Sequence, residues 1–271
     1  MIVHMKVPGA LILASDCRVI GSQKSKSGSY SYIVSDAEQK TFPVHPRLAF
    51  SYSGDADLHG VPVSFLLKRA MPSLSKAEST EEAASLLLDL FCRDGKNRHP
   101  SFLISGYNGS TPSVLDLPAG KTEWKEQYPL ADVYGVTTMG DNAIAQSLIE
   151  QGTYDFHLFR IPDAVNFARF LIETTAGAQS FQKTRQTVST NCDILVMSEE
   201  KRIGLCAPVI RIVFRRGSPL LFHSLNNSSK MALSSARSSS VSSSRGSSCL
   251  SENPCADFTA VPFTTWINVG A

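Results

Sequence analysis

The chain has 271 residues, 42% of them hydrophobic, and a formal net charge of +2 at pH 7. This length and composition are enough for one sizeable hydrophobic core and allow one or two domains. No basic stripe interleaved with aromatic residues stands out, so nucleic acid is not a favoured partner. The sequence has neither a signal-peptide pattern nor an apolar run long enough to cross a membrane, which predicts a soluble, cytoplasmic protein without membrane contact.

The six cysteines are scattered along the chain without a C-x-x-C pair. This spacing argues against a zinc site and, in a protein without an export signal, favours reduced thiols. We therefore predict no metal and no cofactor. Cys17 follows a buried strand, and a small packing residue is a better interpretation of it than a nucleophile.

The first clear element is residues 10–14, which are all apolar and follow the turn signal Pro8-Gly9. This pattern is typical of a strand buried on both faces, and it ends at Asp16 and Arg18. A buried strand can hold a catalytic acid on a rigid element. The alternative role for Asp16 is to cap a turn and pair with Arg18.

Further along the chain, strands are predicted at residues 30–34 and 48–53, and we expect Ile33 and Val34 to be buried. The acidic residues at 55–57 predict the start of a helix that continues to about Met71. A capping box and an apolar period of 3.6 residues predict the next helix. The capping-box residues are Ser79 and Glu82, and the apolar residues are Ala83, Leu86, Leu87 and Leu90.

The second half of the chain alternates short apolar stretches with two helical patterns. Strands are predicted at residues 102–104, 113–116, 122–124 and 192–197, with a hairpin turn at Asn108-Gly109, and helices at 143–150 and 162–177. Residues 208–223 are an uncertain strand extension in which 209–214 have a strand pattern. Residues 224–271 form a serine-rich tail, and its low apolar content predicts a largely disordered segment.

The order of motifs over residues 1–206 resembles that of proteasome β-type subunits, which are N-terminal-nucleophile hydrolases. In that family a strand ending in Asp-x-Arg is followed by a Gly-x-Tyr segment, a lysine before a strand, and an apolar-x-Gly turn. Asp16, Arg18, Lys40 and Gly54 fall on these positions. The resemblance therefore assigns residues 1–207 to one hydrolase domain.

The resemblance implies an α+β fold, a four-layer α/β/β/α sandwich of two antiparallel sheets with helices outside. It also implies a threonine-type endopeptidase subunit that takes part in protein degradation. Its partners would be other proteasome-type subunits in a ring, and its substrate an unfolded polypeptide. The expected location is the cytoplasm and, in a eukaryote, also the nucleus.

The family's nucleophile is the hydroxyl of an N-terminal threonine, whose own amine serves as the base. A lysine keeps the pKa of that amine low by charge repulsion, and an aspartate orients the lysine. The resemblance assigns these supporting roles to Lys40 and Asp16, and substrate binding to Gly54. A purely structural ion pair between Asp16 and Lys40 is the alternative.

The threonine itself is absent, because Met1 falls about where the family has its second residue. Either the sequence lacks its true start, or the subunit has kept the fold and lost the reaction. The family's Gly-Ser-Gly corresponds to residues 139–141, which contain no serine, and its Asp-x-x-Ser-Gly-Gly corresponds to 185–190, which lack the acid and the glycines. Three alternatives stay open: a divergent peptidase, a non-catalytic ring-assembly subunit, and an N-terminal-nucleophile amidohydrolase acting on a small amide.

Overall fold

The structure is a computed structural model that describes residues 1–25, 28–58, 60–91, 100–182, 186–198, 209–214 and 221–224. Over these ranges the fold is mixed α+β, and all the strand pairings are antiparallel. The predicted α+β class with antiparallel sheets is therefore confirmed. The chain divides into two units, Met1–Leu225 and Asn226–Ala271, and the second lies outside the described residues.

The strands are numbered in chain order. They are β1 (Ile2–Val7), β2 (Ala10–Asp16), β3 (Val19–Ser25), β4 (Gly28–Ser35), β5 (Thr41–His45), β6 (Leu48–Ser53), β7 (Asp57–Leu58), β8 (Val61–Pro62), β9 (Ser101–Asn108), β10 (Thr111–Leu117), β11 (Lys125–Glu126), β12 (Gly135–Met139), β13 (Cys192–Ser198), β14 (Val209–Phe214) and β15 (Leu221–Ser224). The helices are α1 (Val63–Leu74), α2 (Thr80–Phe91), α3 (Ala143–Gln151) and α4 (Ile161–Gln179), with a 3-10 turn at Phe156–Leu158.

Two large sheets carry most of the described chain. The six-stranded sheet has the order β12-β1-β2-β13-β14-β15, and the five-stranded sheet has the order β11-β10-β9-β6-β5. The hairpins β3-β4 and β7-β8 are separate two-stranded sheets. The chain enters the centre of the six-stranded sheet through β1 and β2, which are joined by a turn with Gly9 at φ 77°. A positive φ of this kind favours glycine.

Each large sheet has helices against one face. In the six-stranded sheet, Ile12 of β2 belongs to the same apolar cluster as Ala164, Ala168 and Leu171 of α4. The small alanines bring the helix close to the strands. The five-stranded sheet packs against α1 and α2 through a second cluster, which contains Phe50, Phe102, Leu67 and Leu87.

The opposite faces of the two sheets contact each other through β1, β2 and β13 on one side and β5, β6, β9 and β10 on the other. The apolar residues of this third cluster are Leu11, Leu13, Ala49, Tyr107, Val114, Leu195 and Met197. Side chains alternate between the faces of a strand, so β2 contributes Ile12 to the helix side and Leu11 and Leu13 to the other sheet. All residues of β2 are consequently buried.

Several local predictions are confirmed. Residues 10–14, 48–51 and 194–197 are buried strands. The Ser79 hydroxyl accepts a hydrogen bond from the Glu82 N–H (3.1 Å) at the start of α2. Strands β14 and β15 occupy 209–214 and 221–224, so the uncertain extension contains two strands. The tail beyond Ser224 lies outside the described residues.

Three predictions are wrong. The first helix begins at Val63 instead of Asp55, because Pro62 disfavours helical geometry in the residue before it and residues 57–62 form the short β7-β8 hairpin. Ile33 and Val34 are 43% and 58% exposed because, among the described strands, β4 pairs with β3 alone. The strand expected at residues 122–124 is displaced to Lys125–Glu126.

None of the helices in the described ranges is both long enough and apolar enough to span a membrane.

Candidate functional site

The candidate site lies where β1 begins and β2 ends. The antiparallel register places Ile2 opposite Ser15, so the Met1 amino group meets Asp16 at the next position. The side chain of Asp16 is completely buried, and the Met1 residue is only 4% exposed. The two neighbouring strands therefore fix a carboxylate and an amino group against each other.

Both oxygens of Asp16 accept several hydrogen bonds. Oδ1 accepts from the Met1 amino group (2.5 Å) and from Lys40 Nζ (2.8 Å). Oδ2 accepts from the backbone N–H groups of Arg18 (2.8 Å) and Ser189 (3.3 Å). Four donors thus hold one buried carboxylate, an arrangement that compensates for the loss of water. The predicted approach of Asp16 and Lys40 is confirmed.

This arrangement changes the pKa values of both the acid and the amine. Burial alone would favour the neutral acid, but the Met1 and Lys40 ammonium groups outweigh it and lower the pKa of the Asp16 carboxyl. Burial also lowers the pKa of the Met1 amino group; Lys40 adds to this effect by charge repulsion, and Asp16 opposes it. When the pKa of an amine is lowered, a larger fraction of the amine is uncharged near neutral pH and able to accept a proton.

A pocket of about 380 Å³ opens beside this ion pair. Its lining includes Met1, Lys40 and Gly54, so the structure brings the predicted substrate-binding glycine to the same place as the predicted supporting lysine. Gly54 has φ 101°, in the region that favours glycine. Tyr52 also lines the pocket, and its backbone N–H donates to the Lys40 carbonyl (3.0 Å), which ties the lysine to β6.

Arg18 holds the next turn of the chain in place. Its guanidinium donates to both carboxylate oxygens of Asp36, with Nε–Oδ1 at 2.6 Å and Nη2–Oδ2 at 2.9 Å. It also donates to the Gln186 carbonyl (3.1 Å). The alternative role for Asp16 therefore holds only in part. Asp16 accepts a hydrogen bond from the Arg18 backbone N–H, as a cap would, but the side chain of Arg18 pairs with Asp36 instead of Asp16.

Another wall of the pocket carries Asp141 and Thr187. Asp141 Oδ2 accepts hydrogen bonds from the Thr187 hydroxyl and from Gln179 Nε2 (2.9 Å). Asp141 and Thr187 occupy the two segments in which the family's serine motifs were expected. Gly140 lies close to Met1, since a Cβ added there would be 3.5 Å from Met1 Cα. Arg185 lies outside the described residues.

Cys17 was the alternative nucleophile. It is fully buried, in agreement with its interpretation as a packing residue. Cys192, which pairs with Asp16 across β2 and β13, is also buried, and burial raises the pKa of its thiol. A reactive thiol needs a lowered pKa and some exposure, so neither sulfur is placed as a nucleophile.

Sequence reasoning missed a row of buried polar side chains behind the ion pair. Its members are His4, Ser15, Thr41, Ser51 and Ser105. The only available signal was a histidine inside the apolar stretch of β1, since the other four are small residues that are common in strands.

Comparison of the chain with models of known protein families and with curated proteins finds no match. Among the described residues, no group of three or more histidine, cysteine or acidic side chains is placed to hold a metal ion.

Proposed function

We propose that this protein is a β-type subunit of a proteasome-like, ring-shaped threonine protease that takes part in protein degradation in the cytoplasm. The observation that carries the proposal is the buried Asp16–Lys40 ion pair, formed at the amino group of Met1 and beside a pocket. The proposed fold is the four-layer α/β/β/α sandwich of N-terminal-nucleophile hydrolases. Two sheets in contact, each with helices on its other face, support this assignment.

The proposed chemistry uses the amine of the residue beside Asp16 and Lys40. A hydroxyl on that residue would attack a peptide carbonyl, and the amine would accept the hydroxyl proton and pass it to the leaving amine. Burial lowers the pKa of this amine, Lys40 lowers it further through charge repulsion, and Asp16 orients Lys40. A chain that starts at Met1 has the amine but a thioether in place of the hydroxyl. We therefore expect this form to lack peptidase activity.

A non-catalytic ring-assembly subunit is the second candidate. The Asp141 carboxylate favours it, because this acid lines the pocket with Met1 and is held by Thr187 and Gln179. A second carboxylate near the amine raises the pKa of the amine and opposes the effect of Lys40. An amine beside the Asp141 carboxylate is therefore less suited to act as a base than an amine beside the uncharged serine that the family has in this segment.

The test compares three N-termini, each exposed by cleaving a fusion partner: a form that starts at Met1, Met1→Thr, and a threonine added before Met1. Fluorogenic peptides report hydrolysis, and native mass spectrometry reports ring assembly. We expect no hydrolysis by the Met1 form and hydrolysis by one threonine form. Lys40→Ala in that active form should reduce kcat on the order of a thousandfold, since such units act non-additively.

Each result distinguishes the candidates. Hydrolysis by the Met1 form would show that the nucleophile is another residue. Rings without activity in both threonine forms would favour the assembly subunit. The absence of both ring assembly and peptide hydrolysis would refute the proteasome-type function. Hydrolysis of small amides by a monomer would favour the amidohydrolase.

A further inference from the structure

A continuous line of hydrogen bonds crosses between the two large sheets. It joins Ser105 Oγ to His4 Nδ1 (2.8 Å), His4 Nε2 to Ser51 Oγ (2.8 Å), Ser51 Oγ to Thr41 Oγ1 (2.8 Å), and Thr41 Oγ1 to Ser15 Oγ (2.9 Å). His4 and Ser15 belong to the six-stranded sheet, and the other three belong to the five-stranded sheet. All five residues are at most 3% exposed.

The hydrogens available to these groups fix the direction of the line. A hydroxyl or a neutral imidazole has one hydrogen to donate. Thr41 donates its hydrogen to Ser15, so the bond between Thr41 and Ser51 must use the hydrogen of Ser51. The bond between Ser51 and His4 then uses the Nε2 hydrogen of His4. His4 Nδ1 is left as the acceptor for Ser105, and the network assigns the Nε2–H tautomer.

The line ends at the candidate site. Ser15 immediately precedes Asp16 in β2, and Thr41 immediately follows Lys40 at the start of β5. The bond between Ser15 and Thr41 therefore joins the two strands one residue away from the ion pair of Asp16 and Lys40. Any shift of Thr41 relative to Ser15 also moves the lysine relative to the carboxylate.

We propose that His4 is a positioning residue for the Asp16–Lys40 ion pair, and that it acts through Ser51 and Thr41. His4 Nε2–H donates to Ser51 Oγ, so the hydrogen of Ser51 is directed to Thr41. Thr41 in turn donates to Ser15 and fixes the position at which Lys40 reaches Asp16. The inference rests on the site of the proposed function, but its test needs no peptidase activity.

The test uses NMR spectroscopy of the full chain labelled in histidine and lysine. The His4 ring signals are assigned with His4→Gln and the Lys40 ε signals with Lys40→Arg. Ser105→Ala removes the remote end of the line. Thr41→Val keeps the shape of the side chain and removes its hydroxyl, whereas Thr41→Ser keeps the hydroxyl and removes a methyl group.

A control for general destabilisation is Thr175→Val. This threonine is 1% exposed and donates to the Leu171 carbonyl (2.7 Å) inside α4, away from the line. Its substitution removes one buried hydrogen bond and should destabilise the fold for that reason alone. A change of the Lys40 signal in this variant would mean that the signal reports stability in general.

We expect His4 in the natural chain to carry its hydrogen on Nε2, with Nδ1 unprotonated. The Lys40 ε signals should shift in Ser105→Ala and Thr41→Val and stay in place in Thr41→Ser and Thr175→Val. A hydrogen on Nδ1, or a Lys40 signal unchanged by both Ser105→Ala and Thr41→Val, would overturn the proposal. The tautomer is measured without any substitution, so a variant that fails to fold does not prevent a decision. Threonine forms that neither assemble into rings nor hydrolyse peptides would refute the proposed function and leave this result standing.

Discussion

His4 makes the stability of the fold sensitive to acid. The residue is fully buried, its two ring nitrogens form hydrogen bonds with the hydroxyls of Ser51 and Ser105, and burial lowers its pKa to about 3. In the unfolded chain the same ring takes up a proton below about pH 6.5. The lowered folded-state pKa means that the contribution of neutral His4 to stability is present above pH 6.5. It is lost progressively as the pH falls towards 3.

The size of this effect follows from the two pKa values. A difference of one pKa unit corresponds to about 1.4 kcal/mol, so the full shift corresponds to about 5 kcal/mol. Most experiments cover a narrower range, and between pH 7 and pH 4.5 the loss is about 2 to 3 kcal/mol. Small domains are typically stable by about 5–15 kcal/mol. One buried histidine therefore removes a measurable share of the stability.

The assay is urea unfolding of the natural chain and of His4→Gln at intervals between pH 7 and pH 4.5. Glutamine does not titrate, so the variant should be less stable at pH 7 but should lose less stability as the pH falls. The difference between the two chains should shrink by about 2 to 3 kcal/mol over this range. Carboxyl groups that lie away from His4 titrate in both chains, and their effect cancels in the difference.

The matched control is His157→Gln, because His157 is exposed and its ring makes an edge-to-face contact with the ring of Tyr134. Its unfolding should follow the pH dependence of the natural chain. Parallel curves for the natural chain and His4→Gln would refute the reasoning. They would mean that folded His4 takes up a proton as readily as the unfolded chain does, and hence that the two sheets do not enclose it.

Two further predictions concern the ion pair and the glycines. Asp16→Asn should lower the free energy of unfolding by about 3–5 kcal/mol in urea denaturation, because it leaves the buried Lys40 ammonium without its carboxylate; a loss below about 1 kcal/mol would place the pair in contact with water. Gly106→Ala should cost about 1–3 kcal/mol, because its Cβ would lie 2.7 Å from the Arg47 carbonyl oxygen. By contrast, Gly177→Ala should stabilise the protein by up to about 1 kcal/mol, because the residue lies inside α4 and an added Cβ would have no described atom within 4 Å apart from the backbone of its own helix and its chain neighbours. Thermal unfolding that ranks the two glycine variants the other way would contradict both expectations.

Features with a local cause were predictable from the sequence. The buried strand β2 follows from its unbroken apolar run, and the start of α2 follows from the pairing of Ser79 with Glu82. The turn at Asn108-Gly109 was predictable because this residue pair favours the positive φ that a hairpin turn needs, and Gly109 adopts a φ of 63°. In each case the residues that determine the structure are adjacent or nearly adjacent along the chain.

Features that depend on distant partners were not predictable in the same way. Ile33 and Val34 have the composition of a buried strand, but within the part of the chain that the structure describes β4 pairs with its hairpin partner alone, and no property of the segment itself shows this. The candidate site was found only in part. Asp16 and Lys40 were predicted from the resemblance, whereas the Ser189 N–H that also binds Asp16 comes from a segment 173 residues away.

The hydrogen-bonded line between the sheets also helps to set the register of β1, which purely apolar residues would define less strictly. A hydrophobic contact tolerates small slips, because one apolar side chain can replace another. A slip of β1 by one residue would instead turn His4 to the other face of the sheet and leave Ser51 and Ser105 buried without their partner. Each buried polar group left unsatisfied costs about 1–3 kcal/mol. The line therefore penalises slipped registers more than apolar residues would, and the register it selects is the one that brings the start of β1 to Asp16 and Lys40.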